Sequence, residues 1–362
     1  MSALAREHEA INLSQGFPNF PVSEELIALV SKYMRQGMNQ YAPAIGIPEL
    51  RHVLAKKIQN LYSHTVDVDQ EITITAGATE ALFSSITALV KEGDEVMIFE
   101  PAYDSYVPAI RLSGGIPISV QLKGSNYKIN WEEVKRKLSF KTRMIVINTP
   151  HNPCGTILDD EDIRQLKIIT EGNDILILSD EVYEHIVFDD KKHLSLLSTE
   201  LYNRSICVYS FGKVLHNTGW KMGYVVAPPF LTQEIRKVHE FNVFSVNTPM
   251  QYAIAEFYEN PANYLEVSPF YQEKRDYFLS LMKESRFTFI PTNGSYFQLM
   301  EYKDITDQVD VDFAKKLTIE NGVASIPISV FYNTKTEEKM LRFCFAKTND
   351  LLQKAAEELC KI

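Results

Sequence analysis

Short apolar runs alternate with helix-like stretches between residues 70 and 230 of the chain. Several runs are apolar at every position, as expected for strands that are buried on both faces of a parallel sheet. The stretches between them, such as residues 78–90 and 160–170, have the periodicity of helices. This pattern predicts a layered α/β domain with about seven strands. The predicted strands are residues 72–75, 96–99, 116–120, 144–148, 175–179, 206–210 and 223–227.

The pattern changes after about residue 260, where helices surround a few short strands. This order predicts a second, smaller α+β domain. We assign residues 38–258 to the larger domain, and residues 1–37 and 259–362 to the smaller one. The elements predicted in the last part of the chain are helices at 268–286, 312–321 and 350–361, and strands near 294–299 and 340–345.

Composition and charge narrow the class of protein. The 362 residues are 45% hydrophobic and 23% charged, which is typical of a globular chain with about two domains. Because 37 basic and 47 acidic residues leave a net charge of −10, we expect no binding to nucleic acid or anionic membranes. No apolar run approaches the roughly 18 residues of a membrane helix, and no signal peptide is evident. The four cysteines lie far apart and the histidines lack metal-ligand spacing, so we predict a cytoplasmic protein without a metal site.

Polar residues follow five of the predicted strands at the point where each strand ends. In an open parallel sheet, ligands bind beyond the carboxyl ends of the strands. We therefore expect these clusters to meet at one edge of the sheet and to line a common cleft. They lie at residues 76–81, 100–104, 149–155, 180–183 and 211–213.

Three of these clusters suggest parts of a cofactor site. Gly77, Ala78 and Thr79 open a helix whose free N–H groups could hold a phosphate, although ordinary helices also begin with such residues. Asp180 could cap the next helix, or it could be a fixed negative charge beside a cofactor's ring nitrogen. Lys213 could be a solvated surface charge, or it could enter the cleft, where burial lowers the pKa and favours a Schiff base. The sequence leaves both interpretations of each residue open.

Four further residues allow a similar choice. Lys221 could be a surface cation or could neutralise a phosphate. Tyr103 could pack in the core or stack on an aromatic ring, and Asn152 could serve only the turn before Pro153. Arg342 lies inside an apolar strand and needs an anionic partner, either a structural carboxylate or that of a substrate. A phosphate site, a stacking ring, an acid for a ring nitrogen, a Schiff-base lysine and a carboxylate clamp together indicate pyridoxal phosphate and an amino-acid substrate.

Eight segments carry motifs of a known family: residues 148–153, 180–183, 210–213 and 218–224, together with 12–18, 39–43, 244–249 and 326–331. Through the first four, the chain resembles the class I pyridoxal-phosphate aminotransferases of fold type I over nearly its whole length. Through the last four, it is most similar to methionine aminotransferases of the kynurenine/glutamine transaminase branch. The resemblance implies a large three-layer α/β/α domain with a mostly parallel seven-stranded sheet, plus a smaller α+β domain.

The resemblance also implies a role for each matching residue. Lys213 is expected to carry the cofactor, Asp180 to pair with its ring nitrogen, and Tyr103 to stack on its ring. Asn152 and Tyr183 are expected to bond the phenolic oxygen of the ring. The phosphate is expected to be held by Gly77, Ala78, Thr79, Ser210 and Lys221 together with Tyr41 of a second subunit, and the substrate carboxylate by Arg342, Asn152 and the Gly16 backbone.

Because Tyr41 is expected to cross between subunits, the resemblance implies a homodimer. It further implies ping-pong transamination from an L-amino acid, preferably methionine, an aromatic amino acid or glutamine, to a 2-oxo acid. We see no second arginine for an acidic side chain. Five aromatic residues could line an apolar pocket or belong to the core, namely Phe17, Tyr41, Phe244, Tyr296 and Phe331. A carbon–sulfur β-lyase acting on cysteine conjugates needs the same lysine and is the alternative. A related transcription regulator would require a basic helix-turn-helix module, which the sequence does not show.

Overall fold

The computed structural model describes residues 1–334, 336 and 338–362. Twelve strands and fourteen α-helices lie in this part of the chain. The strands are β1 (Ile11–Asn12), β2 (Ile72–Thr75), β3 (Glu95–Glu100), β4 (Ile116–Gln121), β5 (Thr142–Asn148), β6 (Leu176–Asp180), β7 (Ser205–Ser210), β8 (Gly223–Val226), β9 (Phe297–Glu301), β10 (Val323–Ala324), β11 (Ile326–Pro327) and β12 (Met340–Cys344). The helices are α1 (Ser2–Glu7), α2 (Glu24–Arg35), α3 (Pro48–Tyr62), α4 (Ala78–Leu89), α5 (Tyr106–Leu112), α6 (Trp131–Lys137), α7 (Asp160–Thr170), α8 (Phe211–Val214), α9 (Pro229–Asn242), α10 (Thr248–Tyr258), α11 (Ala262–Leu265), α12 (Val267–Met282), α13 (Asp310–Glu320) and α14 (Asn349–Leu359).

Strands β2 to β8 form the central sheet, in the order β2-β8-β7-β6-β5-β3-β4. Six strands run in one direction, and β8 is antiparallel to both of its neighbours. Along β5, Met144 and Val146 pack into one apolar cluster, which includes residues of α4, α5 and α9. Ile145 and Ile147 pack into the other, which includes residues of α3, α6 and α7. The sheet is thus buried on both faces, and the predicted three-layer α/β/α arrangement is confirmed.

Two smaller sheets lie outside the central one. Strands β11, β12 and β9 form an antiparallel sheet, and β1 pairs in parallel with β10. The N-terminal strand therefore packs with the last part of the chain, as expected for the smaller α+β unit. Helix α2, however, also contacts α10, where the amine of Lys32 lies 2.6 Å from a carboxylate oxygen of Glu256. The domain boundaries at residues 38 and 258 remain a prediction.

The predicted strands of the central sheet all occur, with ends that differ by at most two residues. Two predictions in the last part of the chain were wrong in their extent. The helix expected to reach residue 286 ends at Met282, and the strand expected from residue 294 begins at Phe297. Gly294 forms an isolated bridge with Val187 instead, and Ser295 has a positive φ of 61°, which no regular strand residue adopts. None of the described helices combines the length and apolar character needed to span a bilayer.

Candidate active site

The polar residues that follow the strands line one cleft of about 540 Å³. The ends of β2, β5, β6 and β7 meet there, because these strands run in the same direction. The antiparallel β8 starts at the same edge, which brings the residues before it into the cleft. All predicted site residues except Tyr41 line it, namely Gly16, Gly77, Ala78, Thr79, Tyr103, Asn152, Asp180, Tyr183, Ser210, Lys213, Lys221 and Arg342.

Lys213 projects into this cleft from the short helix α8, directly after β7. Its Nζ lies 5.7 Å from the ring centroids of both Tyr183 and Tyr296. Burial lowers the pKa of the amine to about 8, against the opposing effect of the negative charge of Asp180. The preceding Gly212 is required by close packing, since a Cβ there would lie 2.8 Å from the Cα of Thr218. The surface-charge interpretation of Lys213 is excluded, and its amine is partly neutral and nucleophilic near pH 8.

Asp180 is the last residue of β6 and is 3% exposed. A turn rather than a helix follows it, so the helix-cap interpretation was wrong. The hydroxyl of Tyr106 donates a hydrogen bond to Oδ2 over 2.6 Å, and the amide of Asn148 donates to the backbone carbonyl of Asp180 over 2.9 Å. Burial raises the pKa of Asp180 to about 6, while the Tyr106 hydrogen bond and the charge of Lys213 oppose the rise. At neutral pH the cleft therefore holds a buried carboxylate.

One end of the cleft is electropositive. Helix α4 begins at Ala78 after Gly77, whose φ of 80° suits glycine. The Nζ of Lys221 would lie 3.5 Å from a Cβ on Gly77, so the amine sits against the start of the helix. Gly223 allows β8 to approach the start of α4, because a Cβ added at residue 223 would lie only 2.9 Å from the backbone nitrogen of Ala78. The free N–H groups of α4, the amine of Lys221 and the Thr79 hydroxyl suit a phosphate.

Arg342 lies on β12 and is 7% exposed. Its Nη1 donates to Oδ1 of Asn152 over 2.8 Å, and its Nη2 donates to the carbonyl of Ser14 over 3.0 Å. Its guanidinium carbon lies 3.9 Å from the ring centroid of Phe297, and 4.9 Å from that of Phe331. Within the described residues, Nε has no partner and no carboxylate pairs with this arginine. Its charge thus remains available for an anionic ligand.

The segment around Gly16 is held against the cleft by two hydrogen bonds that the sequence did not predict. The hydroxyl of Tyr296 donates to the Gly16 carbonyl over 2.6 Å, and the amine of Lys347 donates to the Phe17 carbonyl over 2.7 Å. Of the aromatics considered for an apolar pocket, Phe17 and Phe331 line the cleft, whereas Tyr296 is fully buried behind it. No local pattern marks Tyr296 or Lys347, because both partners are carbonyls distant in sequence.

Tyr41 and Phe244 lie outside the cleft formed by their own chain. Tyr41 is 82% exposed, and its ring centroid lies 5.2 Å from that of Phe244 in an edge-to-face contact. The predicted contribution of Tyr41 to the site of a second subunit remains a prediction.

The groups in the cleft fit pyridoxal phosphate. A helix start and a lysine amine suit its phosphate, the ring of Tyr103 offers a stacking surface, and the carboxylate of Asp180 suits a protonated ring nitrogen. The amine of Lys213 suits its aldehyde, and the guanidinium of Arg342 suits the carboxylate of an amino acid. The fold and the cleft thus define a pyridoxal-phosphate enzyme of fold type I.

Comparison with known proteins identifies the family. The family model for aminotransferase class I and II matches residues 8–359, and the chain belongs to this family. It is 47% identical to the methionine aminotransferase of Escherichia coli (strain K12), over 99% of this chain and 94% of that protein. It is 32% identical to human kynurenine–oxoglutarate transaminase 1, over 99% and 93% respectively. A solved Escherichia coli structure with a reported methionine aminotransferase function superimposes with a TM-score of 0.98 at 46% identity, and covers 100% of this chain and 95% of that one. The chain is a pyridoxal-phosphate-dependent aminotransferase, as its motifs predicted.

Proposed function

We propose that this aminotransferase takes the amino group of L-methionine, an aromatic L-amino acid or L-glutamine and transfers it to a 2-oxo acid by a ping-pong mechanism. The observation that carries the proposal is that Lys213, Asp180 and Arg342 line one cleft. These three side chains supply an amine, a carboxylate and a guanidinium to the same small volume. The β-lyase alternative receives no support from the relatives named above.

Each of these residues has a proposed role. Pyridoxal phosphate, when bound, supplies the electron sink that makes the α-proton of an amino acid acidic. The Nζ of Lys213 would hold the cofactor through its aldehyde and, as the free amine, would take up the α-proton of the substrate as a general base. The carboxylate of Asp180 would accept a hydrogen bond from the protonated ring nitrogen, and Asn152 and Tyr183 would form hydrogen bonds with the phenolic oxygen. The phosphate is bound by Gly77, Ala78, Thr79, Ser210 and Lys221, and the substrate carboxylate by Arg342, Asn152 and the Gly16 backbone.

The charges around the cleft favour substrates whose side chain is uncharged. The cationic side chains that line it among the described residues are Lys213, Lys221 and Arg342, and each already has a proposed role. Asp104 adds a negative charge to the lining, and Phe17 is one of several apolar residues there. An acidic side chain would therefore be desolvated without a cation, which is costly.

We expect glutamine to be used with a kcat/KM at least about 100-fold higher than that of glutamate, because the two differ mainly by one negative charge. Methionine and phenylalanine are expected to resemble glutamine, and aspartate to resemble glutamate. The measurement is the rate of 2-oxo acid formation across this panel with one fixed acceptor. Equal rates for glutamine and glutamate would contradict the proposed specificity. Pyruvate and ammonia released from a cysteine conjugate, faster than amino-group exchange, would instead establish the β-lyase.

We further propose a homodimer in the cytoplasm, in which Tyr41 of each subunit binds the phosphate in the other subunit's site. The exposure of Tyr41 on its own chain supports a contact across an interface. The cytoplasmic location rests on four widely spaced cysteines, none of which is in a disulfide among the described residues.

Tyr41→Phe is expected to weaken pyridoxal phosphate binding about tenfold, since a hydrogen bond to a charged group is lost, while the dimer persists. Equilibrium dialysis of the apoenzyme measures the affinity, and sedimentation equilibrium measures the mass. Tyr277→Phe on α12 is the control, and its affinity should equal that of the wild type. A monomeric wild-type enzyme, or unchanged affinity in Tyr41→Phe, would refute this arrangement.

A further inference from the structure

The carboxylate of Asp180 has one short side-chain hydrogen bond among the described residues, and its donor is Tyr106. The phenolic hydroxyl lies 2.6 Å from Oδ2, and both residues are only 3% exposed. The other oxygen, Oδ1, accepts only a long contact of 3.4 Å from the backbone N–H of Val182. Asp180 lines the cleft, whereas Tyr106 does not and lies behind it. Oδ2 is therefore hydrogen-bonded by a residue outside the cleft, whereas Oδ1 remains available to a ligand.

Tyr106 acts as the hydrogen-bond donor in this pair. Burial and the charge of Asp180 raise the pKa of the phenol well above its ordinary value, so the phenol keeps its proton at neutral pH. The other ionisable groups around the carboxylate have smaller effects: the charge of Lys213 lowers its pKa, and the charge of Glu181 raises it. Tyr103 and Tyr183 also face Asp180, as neutral phenols. The phenol of Tyr106 thus provides the largest stabilisation of the ionised carboxylate.

The backbone fixes both partners in this geometry. Tyr106 is the first residue of α5, and its N–H donates to the carbonyl of Tyr103 over 3.3 Å. The two tyrosine rings contact edge to face, with centroids 5.6 Å apart at 81°. On the other side, the amide of Asn148 holds the carbonyl of Asp180. One turn therefore delivers both the ring of Tyr103 and the hydroxyl that contacts Asp180.

We propose that Tyr106 is a positioning residue for the ring nitrogen of the cofactor. Its hydroxyl keeps Asp180 ionised by binding Oδ2, and it leaves Oδ1 to accept the N–H of the protonated ring. This inference rests on the proposed role of Asp180 and adds a residue that never contacts the cofactor. It predicts that loss of the hydroxyl weakens recognition of the ring nitrogen and of no other part of the cofactor.

The experiment compares binding of pyridoxal phosphate with binding of its 1-deaza analogue, which lacks the ring nitrogen, to the apoenzyme. Tyr106→Phe removes one oxygen and leaves the ring packing intact. We expect this variant to bind pyridoxal phosphate about 10- to 100-fold more weakly, and the analogue within about twofold of the wild type. Tyr202→Phe is the matched control, because its buried phenol donates a hydrogen bond to the carboxylate of Glu71 over 2.9 Å and does not line the cleft. Its affinity for both ligands should equal that of the wild type.

Two further variants distinguish a wrong role for Tyr106 from a wrong role for Asp180. In an Asp180→Asn background, Tyr106→Phe should have no additional effect on the preference, as a double-mutant cycle requires for one interacting pair. An equal loss of affinity for both ligands in Tyr106→Phe, or no loss for either, would overturn the positioning role. Should Asp180→Asn by itself keep the wild-type preference for the natural cofactor, the proposed role of Asp180 would fail, whatever Tyr106 does.

Discussion

Replacement of Lys213 by alanine is expected to lower the kcat of transamination by at least about 10⁴-fold, because one residue supplies both the nucleophile and the general base. The amine of Lys213 has its pKa lowered to about 8 and makes no side-chain hydrogen bond among the described residues. Lys221 cannot substitute for it, since its amine lies against Gly77 at the start of α4. Steady-state assays with methionine and the visible absorbance of the purified enzyme are the two measurements.

The matched control is Lys315→Ala, which removes an exposed lysine from α13 and should leave both measurements unchanged. Borohydride reduction of the wild-type enzyme, followed by peptide mapping, should attach the cofactor to Lys213. Substantial turnover by Lys213→Ala, or attachment of the cofactor to another lysine, would contradict the assignment on which the proposed mechanism depends.

Arg342→Lys is expected to lower kcat/KM for methionine by about 10²- to 10³-fold, mainly through a higher KM. A lysine ammonium is a point charge, so it cannot reproduce the planar fork that binds both oxygens of a carboxylate. It also cannot keep the two existing hydrogen bonds to Asn152 and Ser14 in the same geometry. The measurement is the kcat and KM for methionine, with the cofactor absorbance recorded to show that the site is still loaded.

A substrate without a carboxylate isolates this role. The wild type should strongly prefer methionine to 3-(methylthio)propylamine, and Arg342→Lys should lose most of that preference. Arg275→Lys is the control, because Arg275 is also buried but pairs with Asp189 at 2.6 Å and does not line the cleft. This control should lose stability without a change in KM. If Arg342→Lys kept the full preference for methionine, the carboxylate role would be wrong.

The central sheet was predictable because its signal is local. A strand covered on both faces must be apolar at every position, and the run from Met144 to Ile147 satisfies this requirement with two side chains in each apolar cluster. The direction of β8 was not predictable, because it depends on the path that residues 211–222 take between β7 and β8. That direction matters for the site, since Lys221 reaches the cleft only because the start of β8 lies at the same edge as the ends of its neighbours.

The candidate site was also predictable only in part. Asp180 and Lys213 could be selected because a charged residue that directly follows a buried strand is unusual, and the structure brings both into one cleft. Tyr106 could not be distinguished from a core aromatic, since its hydroxyl meets Asp180 across 74 residues of sequence. The only available signal was its position three residues after Tyr103, at the start of a helix.

The sequence by itself determined the order of strands and helices, the family, and which charged groups stand at the strand ends, because periodicity, burial and motif spacing are properties of neighbouring residues. Only the tertiary structure decided that Arg342 lacks a carboxylate partner among the described residues and instead bonds Asn152 and Ser14. The tertiary structure alone also decided that the phenol of Tyr106 donates a hydrogen bond to Asp180. Such contacts join elements far apart in the chain, and the free energy of burying a charge is set by whatever the completed fold places around it.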